Sequence, residues 1–218
     1  MEKDSVIILS GGMDSTTLLH FEKERIALAL SFDYGSNHNA RELECASIQC
    51  EKLGVPHIII PLDFMRKYFN SSLLNGSDAI PKGEYDGENM KSTVVPFRNG
   101  IMLSIACGLA ESRGLRHVMM ANHGGDHAIY PDCRPDFTQA MSNAMRCGTY
   151  EGITLIDPFT NMSKSDIARL GRKLGVDFSL TYSCYCGEEE HCGECGTCRE
   201  RKQAFLEAGL EDPTRYKG

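Results

Sequence analysis

The sequence predicts an α/β fold: a parallel sheet of about five strands with helices on both faces, plus a small C-terminal knuckle and helix. Three observations predict it. Short β-branched apolar runs alternate with longer stretches of helical spacing, as crossover helices between parallel strands require. The first apolar run passes straight into "SGGMDS", so a strand turns into a helix through two glycines. Of the ten cysteines in 218 residues, five fall within the fifteen positions from Cys184 to Cys198, where the alternation has stopped.

The predicted strands are "SVIILS" (5–10), "IALALSFD" (26–33), "HIIIPLD" (57–63), "HVMMAN" (117–122) and "ITLIDPF" (153–159). Between them, 14–24, 39–54, 99–114 and 136–145 have helical spacing, and Gly54 is placed to stop the second. "SKSDIARLGRKLGVD" (163–177) is a further helix with Ser163 as its N-cap. Residues 71–96, rich in glycine and polar side chains, break the rhythm and read as a lid-like insertion. The predicted division is an α/β domain over 1–179 and a cysteine-rich subdomain over 180–218.

Composition narrows the function. The chain carries 23 Lys and Arg against 30 Asp and Glu, a net charge of −7, which argues against a surface devoted to nucleic acid. No basic segment precedes a long apolar stretch, and no apolar run is expected to span a membrane. Cysteine-rich chains without an export signal point to metal or redox chemistry, and a cytoplasmic location is expected.

The strand-to-helix turn is the first candidate site. At the carboxyl edge of such a sheet, the backbone N–H groups of Gly11, Gly12 and Met13 and the hydroxyls of Ser10 and Ser15 would converge on an anion, aided by the helix dipole. No Gly-Lys pair exists for a Walker A loop, and after Gly12 the next glycine is Gly35, so a dinucleotide fingerprint fails too. The pattern S-G-G-x-D-S resembles the pyrophosphate loop of the ATP pyrophosphatases. These enzymes split ATP between the α- and β-phosphates and transfer AMP to an oxygen.

The cysteines are the second. Cys192, Cys195 and Cys198 repeat as C-x-x-C-x-x-C, with Cys184 and Cys186 upstream and His191 as a weaker donor. Tetrahedral zinc takes four thiolates presented in this way; an iron–sulfur cluster uses the same donors, and spacing alone does not separate the two. A zinc ribbon for nucleic acid fits poorly, because residues 184–218 carry five Lys and Arg against eight Asp and Glu.

Taken together, "SGGMDS" (10–15), "FDYG" (32–35) with His38 and Glu42, "VPFRN" (95–99), "YPDCRPDF" (130–137) and "LTYSCY" (180–185) resemble the 7-cyano-7-deazaguanine synthase family over essentially the whole chain. The resemblance implies a Rossmann-like fold of the adenine nucleotide alpha hydrolase kind. It implies 7-carboxy-7-deazaguanine, ammonia and ATP with Mg²⁺ as substrates, one structural zinc per chain, a homodimer, and neither nucleic acid nor membrane as partner. The ATP-binding segment would be Leu9, Ser10, Gly11, Gly12, Met13, Asp14, Ser15, Thr16, Thr17, Leu18 and Leu19. Asp14, Arg98, Asp132 and Lys164 would be catalytic. Arg98, Asp126, Tyr130, Asp132 and Arg134 would bind the acid substrate, with either Asp132 or Arg134 reading the ring edge or the carboxylate. The "SCY" context selects Cys184 as the first zinc ligand beside Cys192, Cys195 and Cys198, which leaves Cys186 spare. His38 and Glu42, at i and i+4, would line the adenosine side, and Cys133 is read as packing. In the segment before "YPDCRP", Asp126 matches the family pattern better than its neighbour His127. The rival readings are a tRNA-thiolating enzyme, a glutamine-dependent amidotransferase and an inactive nucleotide-binding module.

Overall fold

A computed structural model describes residues 3–74, 80–83, 85–86 and 90–217. Its centre is a five-stranded, all-parallel sheet: β1 (Ser5–Ile8), β2 (Ile26–Asp33), β3 (His57–Pro61), β4 (His117–Met119) and β5 (Thr154–Ile156). The spatial order is β3-β2-β1-β4-β5. The chain therefore builds outward from β1 to one edge, then crosses over and builds to the other. That reversal between β1 and β4 opens a crevice at their carboxyl ends, the place where such sheets bind ligands.

Strand alternation sends one set of side chains to each face. Val6, Leu30, Phe32 and Val118 join Leu103, Ala106 and Ala110 of α4 (Arg98–Ser112). Ile7, Leu9, Ala29 and Met119 pack on the opposite face. Their partners are Leu18 and Leu19 of α1 (Met13–Phe21), Ala46 of α2 (Asn39–Leu53) and Ile167 of α6 (Lys164–Leu174). Two further helices are α3 (Asp63–Tyr68), which the sequence pattern did not suggest, and α5 (Pro135–Gly148). A six-residue helix offers too little periodicity to be seen.

The expected stop and start signals operate. Gly54 ends α2 in the left-handed conformation (φ 62°), and its N–H reaches the carbonyls of Cys50 and Glu51. Ser163 caps α6, accepting from Asp166 N–H while the Asp166 carboxylate accepts from Ser163 N–H. Four of the five strands are shorter than the apolar runs that announced them, because the last residues of each run leave the sheet; those after β1 and β4 line a cavity.

Three segments bear on the expectations. The stretch 91–112 is long and apolar enough to cross a membrane, but its regular part, α4, is fifteen residues and is packed over β1 and β4. At about 1.5 Å per residue it falls short of a bilayer core. Residues 180–217 pack on the rest of the chain: α7 (Gly196–Ala208) lies on α6, and Phe205 shares a cluster with Met13, Ala168 and Phe178. Of the expected insertion 71–96, the stretches 75–79 and 87–89 and residue 84 lie outside the described residues. The described remainder is tied down. Gly83 N–H bonds to Glu194 O, and Met90 is fully buried among Ile129, Tyr130 and Cys133.

Candidate active site and cysteine cluster

Everything starts from the turn after β1. Gly11 adopts φ +89°, and a Cβ there would sit 2.1 Å from the Glu42 carbonyl oxygen, so only glycine lets the turn press against α2. Gly12 starts α1 with no side-chain cap, which leaves the first-turn N–H groups free to face an anion. Ser10 and Ser15 share a hydroxyl contact of 3.0 Å, and the Gly12 N–H bonds to Ser10 Oγ. Tyr182, leading into the cysteines, donates its N–H to Gly11 O at 3.0 Å, so the knuckle buttresses the turn from behind.

A cavity of about 200 Å³ opens beside the turn and a smaller one of about 140 Å³ lies over it. Ser10, Glu42, Arg98, Asp126, Cys133 and Tyr185 line both, so the two are halves of one site. Arg98 enters from the start of α4. The residue before it, Phe97, holds φ 52°, alone among the described non-glycine residues in the left-handed region, and this kink begins the helix at the cavity wall. Arg98 bonds to the Tyr34 hydroxyl at 3.1 Å and stacks over its ring.

His38 and Glu42 do line this cavity, 3.6 Å apart. Burial lowers the His38 pKa to about 3, with Arg98 adding to the effect. Burial also raises Glu42 to about 8, against the pull of Arg98. Both are therefore uncharged near neutral pH, which leaves Arg98 as the charged neighbour of this pair.

Lys164, at the start of α6, reaches Asp14 Oδ2 (3.2 Å) and Glu200 Oε2 (2.7 Å). Burial works against its charge, but the Asp14 and Glu200 carboxylates outweigh this and hold its pKa above the ordinary lysine value. Thus the glycine turn has a fixed cation at its mouth. Asp126 follows β4, accepts from the Tyr85 hydroxyl at 3.1 Å, and lines both cavities.

The remaining predicted residues fall in different places. Tyr130 is buried, hydrogen-bonds to the Tyr185 hydroxyl at 2.9 Å and lines the smaller cavity. Asp132 is buried against the N-terminus of α4, accepting from Asn99 N–H at 2.9 Å, and lines neither cavity. Arg134 is exposed, with Nε bonded to His127 O. Thr17, Leu18 and Leu19 are fully buried and brace α1 against the core; Thr17 bonds to Met13 O within the helix. Thr16 is buried with its hydroxyl unpartnered. Burial pushes the Cys133 thiol well up, consistent with packing and not nucleophilic attack.

Sequence reasoning missed His123, Glu200 and Tyr85. Each belongs to a loop or helix remote in sequence from the turn it meets, so no spacing rule could find it. Tyr34 and Tyr185 stood in the quoted motifs, but their approach to Arg98 and Tyr130 is a property of the fold.

In the knuckle, the sulfurs of Cys184, Cys192, Cys195 and Cys198 all lie within 4.8 Å of one another. Cys184 Sγ accepts from the N–H groups of Cys186 and Cys192, and Cys192 Sγ from those of Glu194 and Cys195. Such backbone donors stabilise thiolates. Zinc–sulfur bonds of about 2.3 Å put tetrahedral sulfurs about 3.8 Å apart, which this group reaches with small adjustments. The donor set is that of a structural metal site, and Cys186 stands outside it as expected.

A parallel sheet with an S-G-G-x-D-S turn at its switch point, a lysine at the turn's mouth and a four-thiol knuckle behind it defines a pyrophosphatase-loop type α/β protein. Residues 4–209 match the family described as Queuosine biosynthesis protein QueC, and the chain belongs to that family. It is 61% identical over 217 residues to the 7-cyano-7-deazaguanine synthase of Porphyromonas gingivalis, covering 100% of this chain and 99% of that one. It is 52% identical over 215 residues to the enzyme of that name from Desulfotalea psychrophila, covering 98% of each. In fold it is similar to NMN synthetase from Francisella tularensis, with a TM-score of 0.52, 16% identity and coverage of 96% of this chain and 78% of that one.

Proposed function

We propose that this chain converts 7-carboxy-7-deazaguanine and ammonia into 7-cyano-7-deazaguanine, using two ATP molecules and releasing two AMP and two pyrophosphates. The observation that carries the reading is the shared wall of the two cavities, which lets an acid held at Arg98 meet a nucleotide held at the turn.

A carboxylate is a poor electrophile and hydroxide a poor leaving group. Attack of the acid's oxygen on the α-phosphorus of ATP breaks the bond to the bridging oxygen and expels pyrophosphate into the Gly11–Gly12 turn. There the backbone N–H groups and the Lys164 ammonium take up its charge. Ammonia then adds to the acyl carbon and AMP leaves, giving the amide after loss of a proton. In the second round the amide oxygen is adenylated. That adenylation expels the second pyrophosphate and releases one N–H proton, and loss of AMP with the remaining N–H proton yields the nitrile. Arg98, with its planar fork, is the residue suited to orient the acid and then the amide. Asp14 would help hold the Mg²⁺ that accompanies ATP. Zinc on Cys184, Cys192, Cys195 and Cys198 would supply folding energy and take no part in the chemistry.

Ten free cysteines suit a reducing, cytoplasmic setting. The exposed apolar side chains of Ile59, Phe64 and Tyr68 beside the edge strand β3 offer a second copy a surface for a homodimer.

Incubation with the acid, ATP and ammonium, followed by mass spectrometry and nucleotide chromatography, tests the reading. The nitrile should appear with two AMP, and supplying the amide should halve the AMP per nitrile. Accumulation of ADP would overturn the mechanism.

A further inference from the structure

Behind the phosphate turn lies a buried group that the proposed reaction does not itself require. His123 is 1% exposed, and its Nδ1 accepts from Gly125 N–H at 3.0 Å. Nδ1 is therefore the ring's acceptor, and its N–H is on Nε2. Nε2 lies 3.6 Å from both Glu200 Oε1 and Asp126 Oδ1, 3.9 Å from Asp14 Oδ2 and 3.4 Å from Lys164 Nζ, so its N–H turns to the carboxylates and the ammonium sits beside it. Glu200 in turn holds Lys164 through its other oxygen at 2.7 Å, and Lys164 meets Asp14 at 3.2 Å. Glu200 and Lys164 have side chains only 13% and 14% exposed, so neither is a solvated surface charge. Gly125 permits the arrangement, because a Cβ there would lie 2.8 Å from the His123 ring and 3.3 Å from Glu200 Oε1.

We propose that His123 and Glu200 are positioning residues, which hold the Lys164 ammonium at the mouth of the turn before ATP arrives. Glu200 stands two residues after Cys198, on the first turns of α7, which begins inside the thiol cluster. The knuckle thereby presents a carboxylate to the nucleotide site, and its integrity is felt in turnover as well as in folding. A lysine alone has four rotatable bonds and would settle on Asp14 or swing to solvent. Two carboxylates, at 3.2 and 2.7 Å, together fix its head, in a site where preorganised charge counts most.

The assignment rests on the reading that Lys164 faces pyrophosphate, and it makes a prediction of unusual sign. Deleting a carboxylate near a polyanion should, by Coulomb's law alone, tighten ATP binding. If Glu200 positions Lys164, Glu200→Gln lowers kcat at least tenfold while KM for ATP stays within twofold or falls. Full-length protein with its metal content and Tm unchanged is the sample, assayed by AMP release with the acid. His123→Gln, which keeps an N–H donor near the Nε2 position, should retain most of kcat; His123→Leu should lose it. A kcat within twofold of the parent for Glu200→Gln overturns the proposal, as does equal loss in both His123 variants. Should Glu200→Gln fail to fold, the His123 pair carries the test.

The ¹⁵N resonance of the Lys164 ammonium, identified by its loss in Lys164→Arg, reports positioning without turnover. It should be sharp in the parent and broadened or absent in Glu200→Gln. An equally sharp signal in both refutes the positioning even where the parent makes no AMP, whereas a parent without AMP release refutes the proposed reaction alone.

Discussion

Replacing Gly11 by alanine tests how the turn after β1 is held. The new Cβ would lie 2.1 Å from Glu42 O and 2.9 Å from Ala46 N, against ordinary contacts of 3.4–4 Å. Both obstacles are backbone atoms inside α2, which cannot yield as a side-chain tip can, so the turn must retreat by roughly 1 Å, a displacement on the scale that costs about 10²-fold in rate. Alanine at φ +89° adds strain of about 1–2 kcal/mol, and overpacking of this kind about 1–3 kcal/mol more. Against this, removing a glycine stabilises through the unfolded chain by only ~0.4–1 kcal/mol. The net loss is on the order of 1–5 kcal/mol, which for a chain of this size lowers Tm by roughly 2–20 °C. Gly108 is the internal control: it lies on the exposed side of α4 with nothing within 4 Å of an added Cβ. Gly108→Ala should therefore leave the rate alone and stabilise by ~0.5–1 kcal/mol. Thermal melts and initial rates of AMP release are measured on both variants. A Gly11→Ala protein melting within about 2 °C of the parent, with a rate within threefold, would refute the claim that the close approach to α2 sets the turn's position.

The other predictions concern the metal and pH. Cys195→Ser should give insoluble or protease-sensitive protein lacking zinc while Cys186→Ser keeps one metal per chain, as metal analysis would show; iron with acid-labile sulfide would replace zinc in the account. Glu42 binds a proton in the folded state up to about pH 8, against 4.5 for its ordinary value, so its contribution to stability is lost as pH rises through that window. Each pH unit there costs at most ~1.4 kcal/mol. Glu42→Gln keeps the shape without the charge and should gain at least about 3 °C in Tm relative to the parent between pH 5 and pH 8; a parent-to-variant difference that does not change with pH would sink the assignment.

What could be read from the sequence was local. Strand, turn and helix around "SGGMDS" are set by neighbours within a dozen residues, and the five strands, the Gly54 stop and the Ser163 cap are of the same kind. The C-x-x-C-x-x-C repeat was legible because a metal site demands fixed spacing whatever surrounds it. The crevice was only half legible. A strand-to-helix turn implies a binding edge, but the order β3-β2-β1-β4-β5, which brings the loop after β4 to the turn after β1, is a long-range outcome.

Asp132 shows what a motif leaves undetermined. In "YPDCRP" it reads as a substrate contact, yet a carboxylate is equally suited to the free N–H groups of a helix start, and here it binds Asn99 N–H at 2.9 Å. Phe97 shows the opposite failure, since no propensity would place a phenylalanine in the left-handed region. The two are linked. Phe97 at φ 52° is the strained step into α4, and Asp132 holds the next turn in place from the other side. Arg98 lies between them, so its aim into the cavity is fixed by one backbone strain and one borrowed carboxylate, neither of which touches the ligand space. A residue can therefore serve the site without facing it, and for Asp132 this structural service is what the geometry supports.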